Sequence, residues 1–123
     1  MKILIVDSSA WIPDRIASLL TEAEGDHTLY KALTYKEAVS LFHETEPAVV
    51  ILDKSLPDKG SISLLTEIKA AKKNTMVIVL SLRIDLNAEQ LCKRAGADFI
   101  LDKYHEFERI PAIISSINLE INA

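Results

Sequence analysis

Apolar residues in this chain fall into two patterns. Unbroken runs occur at Ile3-Leu4-Ile5-Val6, Ala48-Val49-Val50-Ile51-Leu52 and Met76-Val77-Ile78-Val79-Leu80. Runs of this length, rich in Val and Ile, predict strands buried on both faces. A further strand is predicted over 98–102, and the alternation over 27–33 predicts a shorter edge strand. Between these stretches apolar residues recur at helical spacing. Ile16, Leu19, Leu20 and Ala23 make the first stripe, and Ala38, Leu41 and Phe42 the second. Leu64, Leu65, Ile68 and Ala71 make the third, and Ala88, Leu91, Cys92 and Ala95 the fourth. Ile110, Ile113, Ile114, Ile117 and Ile121 mark a closing helix.

Helix punctuation agrees with the stripes. Pro13 is tolerated only near a helix start, and Pro111 is expected in the first turn of the last helix. Thr34-Tyr35-Lys36-Glu37 fits a capping box. Ser61 is expected to cap the third helix, and Asp85 or Asn87 the fourth. Gly25 and Gly96 are expected to close helices, and Pro47 ends the second. Five strands alternating with five helices imply a parallel sheet with helices on both faces. Right-handed crossovers leave few topologies, and the flavodoxin-like order is one common five-stranded solution.

Composition narrows the function. The chain has 123 residues, 49% hydrophobic and 26% charged, with a net charge of -4. This is the size of one ordinary domain, expected to span 1–123. The acidic balance argues against nucleic acid as a partner. No apolar run approaches the roughly 20 residues of a membrane span. Met1-Lys2-Ile3 leads straight into a strand-like run without a cleavable signal pattern. Cys92 is the only cysteine, so a reducing, cytoplasmic setting is expected.

Four strands end in reactive-looking residues: Asp7, Asp53, Ser81 and Lys103. In a parallel sheet these ends share one edge, where open α/β sheets place ligands. Two carboxylates hold a Mg²⁺, which favours oxygen ligands and keeps several waters. A hydroxyl and an ammonium grip phosphoryl oxygens. The set suits phosphoryl transfer to a carboxylate nucleophile.

Here the sequence resembles the receiver domains of two-component response regulators. The resemblance rests on Ile3-Leu4-Ile5-Val6-Asp7-Ser8-Ser9, on Val50-Ile51-Leu52-Asp53 with Leu56-Pro57, on the strand ending in Ser81, and on Ala95-Gly96-Ala97-Asp98 leading to Lys103. It implies a (βα)5 fold with strand order 2-1-3-4-5. It also implies Asp53 as phosphoacceptor, Asp7 and the backbone carbonyl of Ser55 as Mg²⁺ ligands, Ser81 as the switch hydroxyl and Lys103 as the phosphoryl-pairing lysine. The implied donor is a phosphohistidine on a sensor histidine kinase or a phosphotransfer protein.

Three departures stand out. Receivers usually carry two adjacent acids after the first strand, and here the second is Ser8. We therefore expect weaker Mg²⁺ binding, with water or the Ser8 hydroxyl taking the vacant position. Tyr104 follows Lys103 where proline is usual, and a trans bond is expected there because a cis bond before a non-proline residue costs roughly 2.5–4 kcal/mol. Asp102-Lys103-Tyr104-His105-Glu106-Phe107 is similar to a subset of stand-alone receivers. The switch aromatic is replaced by Ile100, and Phe99 is expected on the opposite face, so any switch must use Ile100 packing or loop movement.

The chain is thus expected to be a stand-alone receiver and not an enzyme, with the last helix ending at Ile121-Asn122-Ala123 and an effector protein bound in trans. The resemblance implies a contact surface on the fourth helix, last strand and last helix, including Arg83, Gln90, Ile100, Arg94, Asp102, Tyr104 and Arg109. Ser55 and Arg83 would border the phosphoryl group. Isoleucines outside the last stripe would make a homodimer face. Rival readings are a pseudo-receiver that binds protein without phosphate, a small phosphatase working through an aspartyl-phosphate, and a flavin module of the same topology. His27, His43 and His105 lack metal-ligand spacing and read as surface residues. Cys92 reads as an inert core thiol, and Trp11 as a partly buried anchor rather than part of the site rim.

Overall fold

The apolar runs are strands. The computed structural model of the chain describes residues 1–9, 11–22, 26–55, 60–82 and 85–122. In it β1 (Lys2–Val6), β2 (Thr28–Ala32), β3 (Val49–Asp53), β4 (Met76–Ser81) and β5 (Phe99–Asp102) alternate with five helices. These are α1 (Trp11–Glu22), α2 (Tyr35–Thr45), α3 (Ser61–Ala71), α4 (Leu86–Ala95) and α5 (Ile110–Asn122), the last preceded by a 3₁₀ turn, Phe107–Arg109. All strand pairs are parallel, in the order β2-β1-β3-β4-β5. The flavodoxin-like order expected of the sequence is therefore the observed one. β3 lies at the centre with all five residues buried, and β2 is an edge, as its alternation implied.

Strand side chains alternate between two cores. Ile3, Ile5, Ile51 and Ile78 pack with Ile12, Ile16 and Leu20 of α1 and with Ile110, Ile113, Ile114 and Ile117 of α5. Leu4, Val6, Val50, Leu52 and Val79 pack with Ala38 and Phe42 of α2, Leu64, Leu65 and Ile68 of α3, and Cys92 of α4. Phe99 joins the first core and Ile100 the second, so the two do face opposite ways.

Several local expectations need correction. Gly60, not Ser61, is the N-cap of α3. Ser61 is the first helical residue, and its buried hydroxyl donates to the Lys54 carbonyl at 2.7 Å. A hydroxyl turned inward has no water, so it binds the nearest free carbonyl. Thr34 caps α2 through the Glu37 amide at 3.2 Å. The Glu37 carboxylate accepts from the Leu33 amide at 3.0 Å, one residue before the cap. Ala71 and Leu91 are exposed, Leu91 by 52%. Ala71 ends its helix, and α4 meets α3 and β5 through the face that buries Ala88 and Cys92, which leaves Leu91 outside. Asp85 caps α4 through the Ala88 amide at 2.7 Å. Gly96 closes that helix at φ 112°, where a Cβ would stand 2.8 Å from Lys69 Cγ. Ala23, Gly25, Leu56-Pro57, Arg83 and the side chain of Ile121 lie outside the described residues.

Cys92 is fully buried, and burial pushes its thiol pKa up, partly opposed by the Lys54 charge. A raised thiol pKa favours the neutral folded form. Its contribution to stability is present below the ordinary thiol value of about 8.5 and is lost as pH rises past it. A thiol reagent at neutral pH is therefore expected to leave the native chain unlabelled and to modify it only at the rate of unfolding. Labelling as fast as in urea would contradict this. His43 and His105 are exposed and His27 is half-buried. Among the described residues no helix is long and apolar enough to cross a membrane.

Candidate functional site

The parallel sheet delivers its strand-end residues to one edge. Asp7 follows β1, Asp53 ends β3, Ser81 ends β4 and Lys103 follows β5. Lys103 Nζ lies 3.1 Å from Asp53 Oδ2 and 3.1 Å from Asp7 Oδ2. Its stem crosses the end of β4 to reach between β1 and β3. Asp7, Asp53, Ser81 and Lys103 are 1%, 4%, 4% and 7% exposed. The structure thus joins Asp7, Asp53 and Lys103 in one buried cluster, with Ser81 buried at the same sheet edge. Burial alone would lower the Lys103 pKa. The hydrogen bond and charge of Asp53, then those of Asp7, outweigh burial and hold it above the ordinary lysine value. Two carboxylates and one ammonium leave the cluster negative.

Each aspartate is set by its own turn. Asp7 Oδ1 accepts from the Ser9 amide at 2.8 Å and the Ser9 hydroxyl at 2.7 Å. Asp53 Oδ1 accepts from the Ser55 amide at 3.1 Å. Asp102 Oδ1 accepts from the amides of Tyr104 and His105 at 3.0 and 2.9 Å, and meets His105 Nδ1 at 2.9 Å. These bonds, the His105 amide first, hold the Asp102 carboxyl below its usual range. In all three cases the side chain binds the amide two residues on, an Asx turn. The role of Ser9 was missed in the sequence, although Asp-x-Ser at a strand end is the signal for it. The Lys103 amide donates to the Ser81 carbonyl at 2.9 Å, joining the last two site-bearing loops.

The residues fit a Mg²⁺. Asp7 Oδ2 is buried and receives no well-aligned hydrogen bond despite the nearby ammonium. It is an anionic oxygen with a free lone pair beside a second carboxylate, the hard donor type this ion takes. Among the described residues no third acid joins the cluster. Ser8, in the position of the missing acid, is exposed, as is Ser55.

Trp11, expected as a partly buried anchor rather than part of the site rim, has a ring partner that the sequence did not suggest. It is 48% exposed and stacks on Tyr104, itself 49% exposed, with centroids 5.4 Å apart and planes 10° from parallel. No peptide bond is cis among the described residues, Lys103–Tyr104 included. Gln90, Arg94 and Arg109 are exposed, and Ile100 is half-buried. Arg109 pairs with Glu106 at 2.7 Å, and the Asp102 carboxylate is taken up by its own turn. Arg83 lies outside the described residues.

The response regulator receiver domain family matches residues 3–115. The chain is 28% identical over 115 residues to the transcriptional regulatory protein MalR of Bacillus subtilis, covering 94% of this chain and 49% of that protein. It is 27% identical over 113 residues to the chemotaxis protein CheY of Thermotoga maritima, covering 91% and 93%. A two-component response regulator from Clostridium difficile has the same fold, with a TM-score of 0.90 at 19% identity over 100% of this chain and 99% of that one. The chain spans less than half the length of the first curated relatives it matches. With that family match over nearly its whole length and that sheet order, the chain belongs to the response regulator receiver domains of two-component signalling.

Proposed function

We propose that residues 1–123 act as one cytoplasmic receiver unit that accepts a phosphoryl group on Asp53. The donor is a phosphohistidine of a sensor kinase or phosphotransfer protein. The P–N bond of the donor breaks, a P–O bond forms to an Asp53 oxygen, and the imidazole leaves with the electron pair. The observation that carries this reading is Lys103 Nζ seated 3.1 Å from both Asp53 and Asp7 at the sheet edge. An ammonium so placed pairs with the oxygens of an arriving phosphoryl group, and catalysis is then mostly positioning and charge neutralisation. Asp7, Asp53 and the Ser55 carbonyl would hold Mg²⁺, helped by water or the Ser8 hydroxyl, and the bound ion supplies further neutralising charge. Ser81 is the switch hydroxyl. Output passes by protein contact through α4, β5 and α5, where Gln90, Arg94, Tyr104 and Arg109 are exposed.

Incubation with a small phosphodonor and Mg²⁺, followed by intact mass, tests the reading. One phosphoryl mass is expected on the wild-type chain and none on Asp53→Asn. The second reading, a pseudo-receiver that binds protein without phosphate, is favoured by Ser8, which leaves the cluster one carboxylate short. No mass gain under forcing conditions would establish that reading over the first.

A further inference from the structure

The two ends of the charge cluster are joined by a contact that no strand pairing requires. Trp11 begins α1, four residues after Asp7, and Tyr104 directly follows Lys103. β3 and β4 lie between β1 and β5 in the sheet, so roughly 14 Å separates the strands at about 4.8 Å each. The stacked rings of Trp11 and Tyr104 close that span on the side where α1 and α5 pack.

Each ring is tied to one half of the cluster. The Trp11 side carries Asp7, held by the amide and hydroxyl of Ser9. The Tyr104 side carries Lys103. Its turn is held internally by Asp102, by the Asp102 amide donating to Glu106 at 3.1 Å and by Arg109 on Glu106. Those bonds shape the turn; apart from the stack, it is tied to other elements by the Lys103 amide on the Ser81 carbonyl and by the 3₁₀ turn lying against α1. Both rings are about half exposed, so filling the core does not account for them.

We propose that Trp11 and Tyr104 are positioning residues for Lys103: their stack docks the turn after β5 on α1 and so keeps the ammonium between Asp7 and Asp53. The role rests on the receiver reading above. A lysine stem is long and flexible, and a shift of about 1 Å at a reacting group costs rate steeply. Coupling of this kind is reciprocal, so a change at Lys103 must register at the stack. Trp11 is the sole tryptophan, and its fluorescence reports that change without any phosphoryl transfer.

The test follows phosphorylation of the full chain by acetyl phosphate with Mg²⁺, read by intact mass over time. Trp11→Ala and Tyr104→Ala are each expected to slow it between about 2-fold and about 10-fold, the range of one aromatic pair. Trp11→Phe keeps a ring and is expected to restore most of the rate. The double alanine variant is expected to be no slower than the slower single, because both remove one contact. In unphosphorylated protein, Lys103→Arg is expected to shift the Trp11 emission. Alanine variants at the wild-type rate, a double variant with multiplied losses, or an emission indifferent to Lys103→Arg would each overturn the positioning role while leaving the receiver reading intact. A wild-type chain that takes up no phosphate overturns both.

Discussion

Lys103→Ala is expected to destabilise the folded chain by about 3–5 kcal/mol at neutral pH, the cost of removing one partner from a buried ion pair. The cause is what the ammonium leaves behind. Asp7 and Asp53 are almost fully buried, and without Lys103 two like charges remain in a site with little water. Adding Asp53→Asn to Lys103→Ala removes one of the two anions, and most of the loss is expected to return. Urea midpoints with unchanged slopes measure both effects. A loss under about 1 kcal/mol, the value of an exposed pair, would mean that the cluster is solvated after all. The same variant is expected to take up phosphoryl groups more slowly, because only the bound Mg²⁺ then meets the incoming oxygens.

Ser8→Asp is expected to raise Mg²⁺ affinity at least about tenfold, equivalent to about 1.4 kcal/mol. A unit charge 4 Å from another is worth about 4 kcal/mol at an effective dielectric near 20, so tenfold asks for only part of the available attraction. Ser8 is exposed, which keeps the effect below that bound. Without the ion the added carboxylate repels Asp7 and Asp53, so the variant is expected to be less stable in chelator and more stable in excess Mg²⁺. Isothermal titration decides the matter, and unchanged affinity would mean that position 8 does not face the ion.

The parts of the molecule legible in the sequence are those set by burial on both sides. Val49 to Asp53 reads as a central strand because nothing polar interrupts it, and it is buried throughout. That Asp7, Asp53, Ser81 and Lys103 share one sheet edge follows from parallel strands alone. Features that depend on which neighbour covers a surface were not legible. Leu91 sits on its helix stripe, yet the buried face of α4 is the one that carries Ala88 and Cys92, and Leu91 stays exposed. Ser61 has the chemistry of a cap, but Gly60 precedes it in extended backbone and the hydroxyl is drawn inward to Lys54. The Trp11–Tyr104 stack joins residues far apart in the chain, and periodicity carries no signal for such a pair. Ser9 lay within reach, since an aspartate followed two residues later by serine is itself a turn signal.

The three Asx turns also decide which replacements make sound controls. Asparagine carries a carbonyl oxygen where aspartate has Oδ1, so it can still accept the amide two residues on. Asp53→Asn therefore deletes charge and nucleophile while the Ser55 amide keeps its partner. Glutamate keeps the charge but is one methylene longer, and it draws the acceptor away from an amide now bonded at 3.1 Å. A hydrogen bond to a charged acceptor is worth about 1.5–3 kcal/mol, enough to alter the loop that glutamate is meant to mimic. A constitutive phenotype from Asp53→Glu would then report a loosened turn as much as an imitated phosphate.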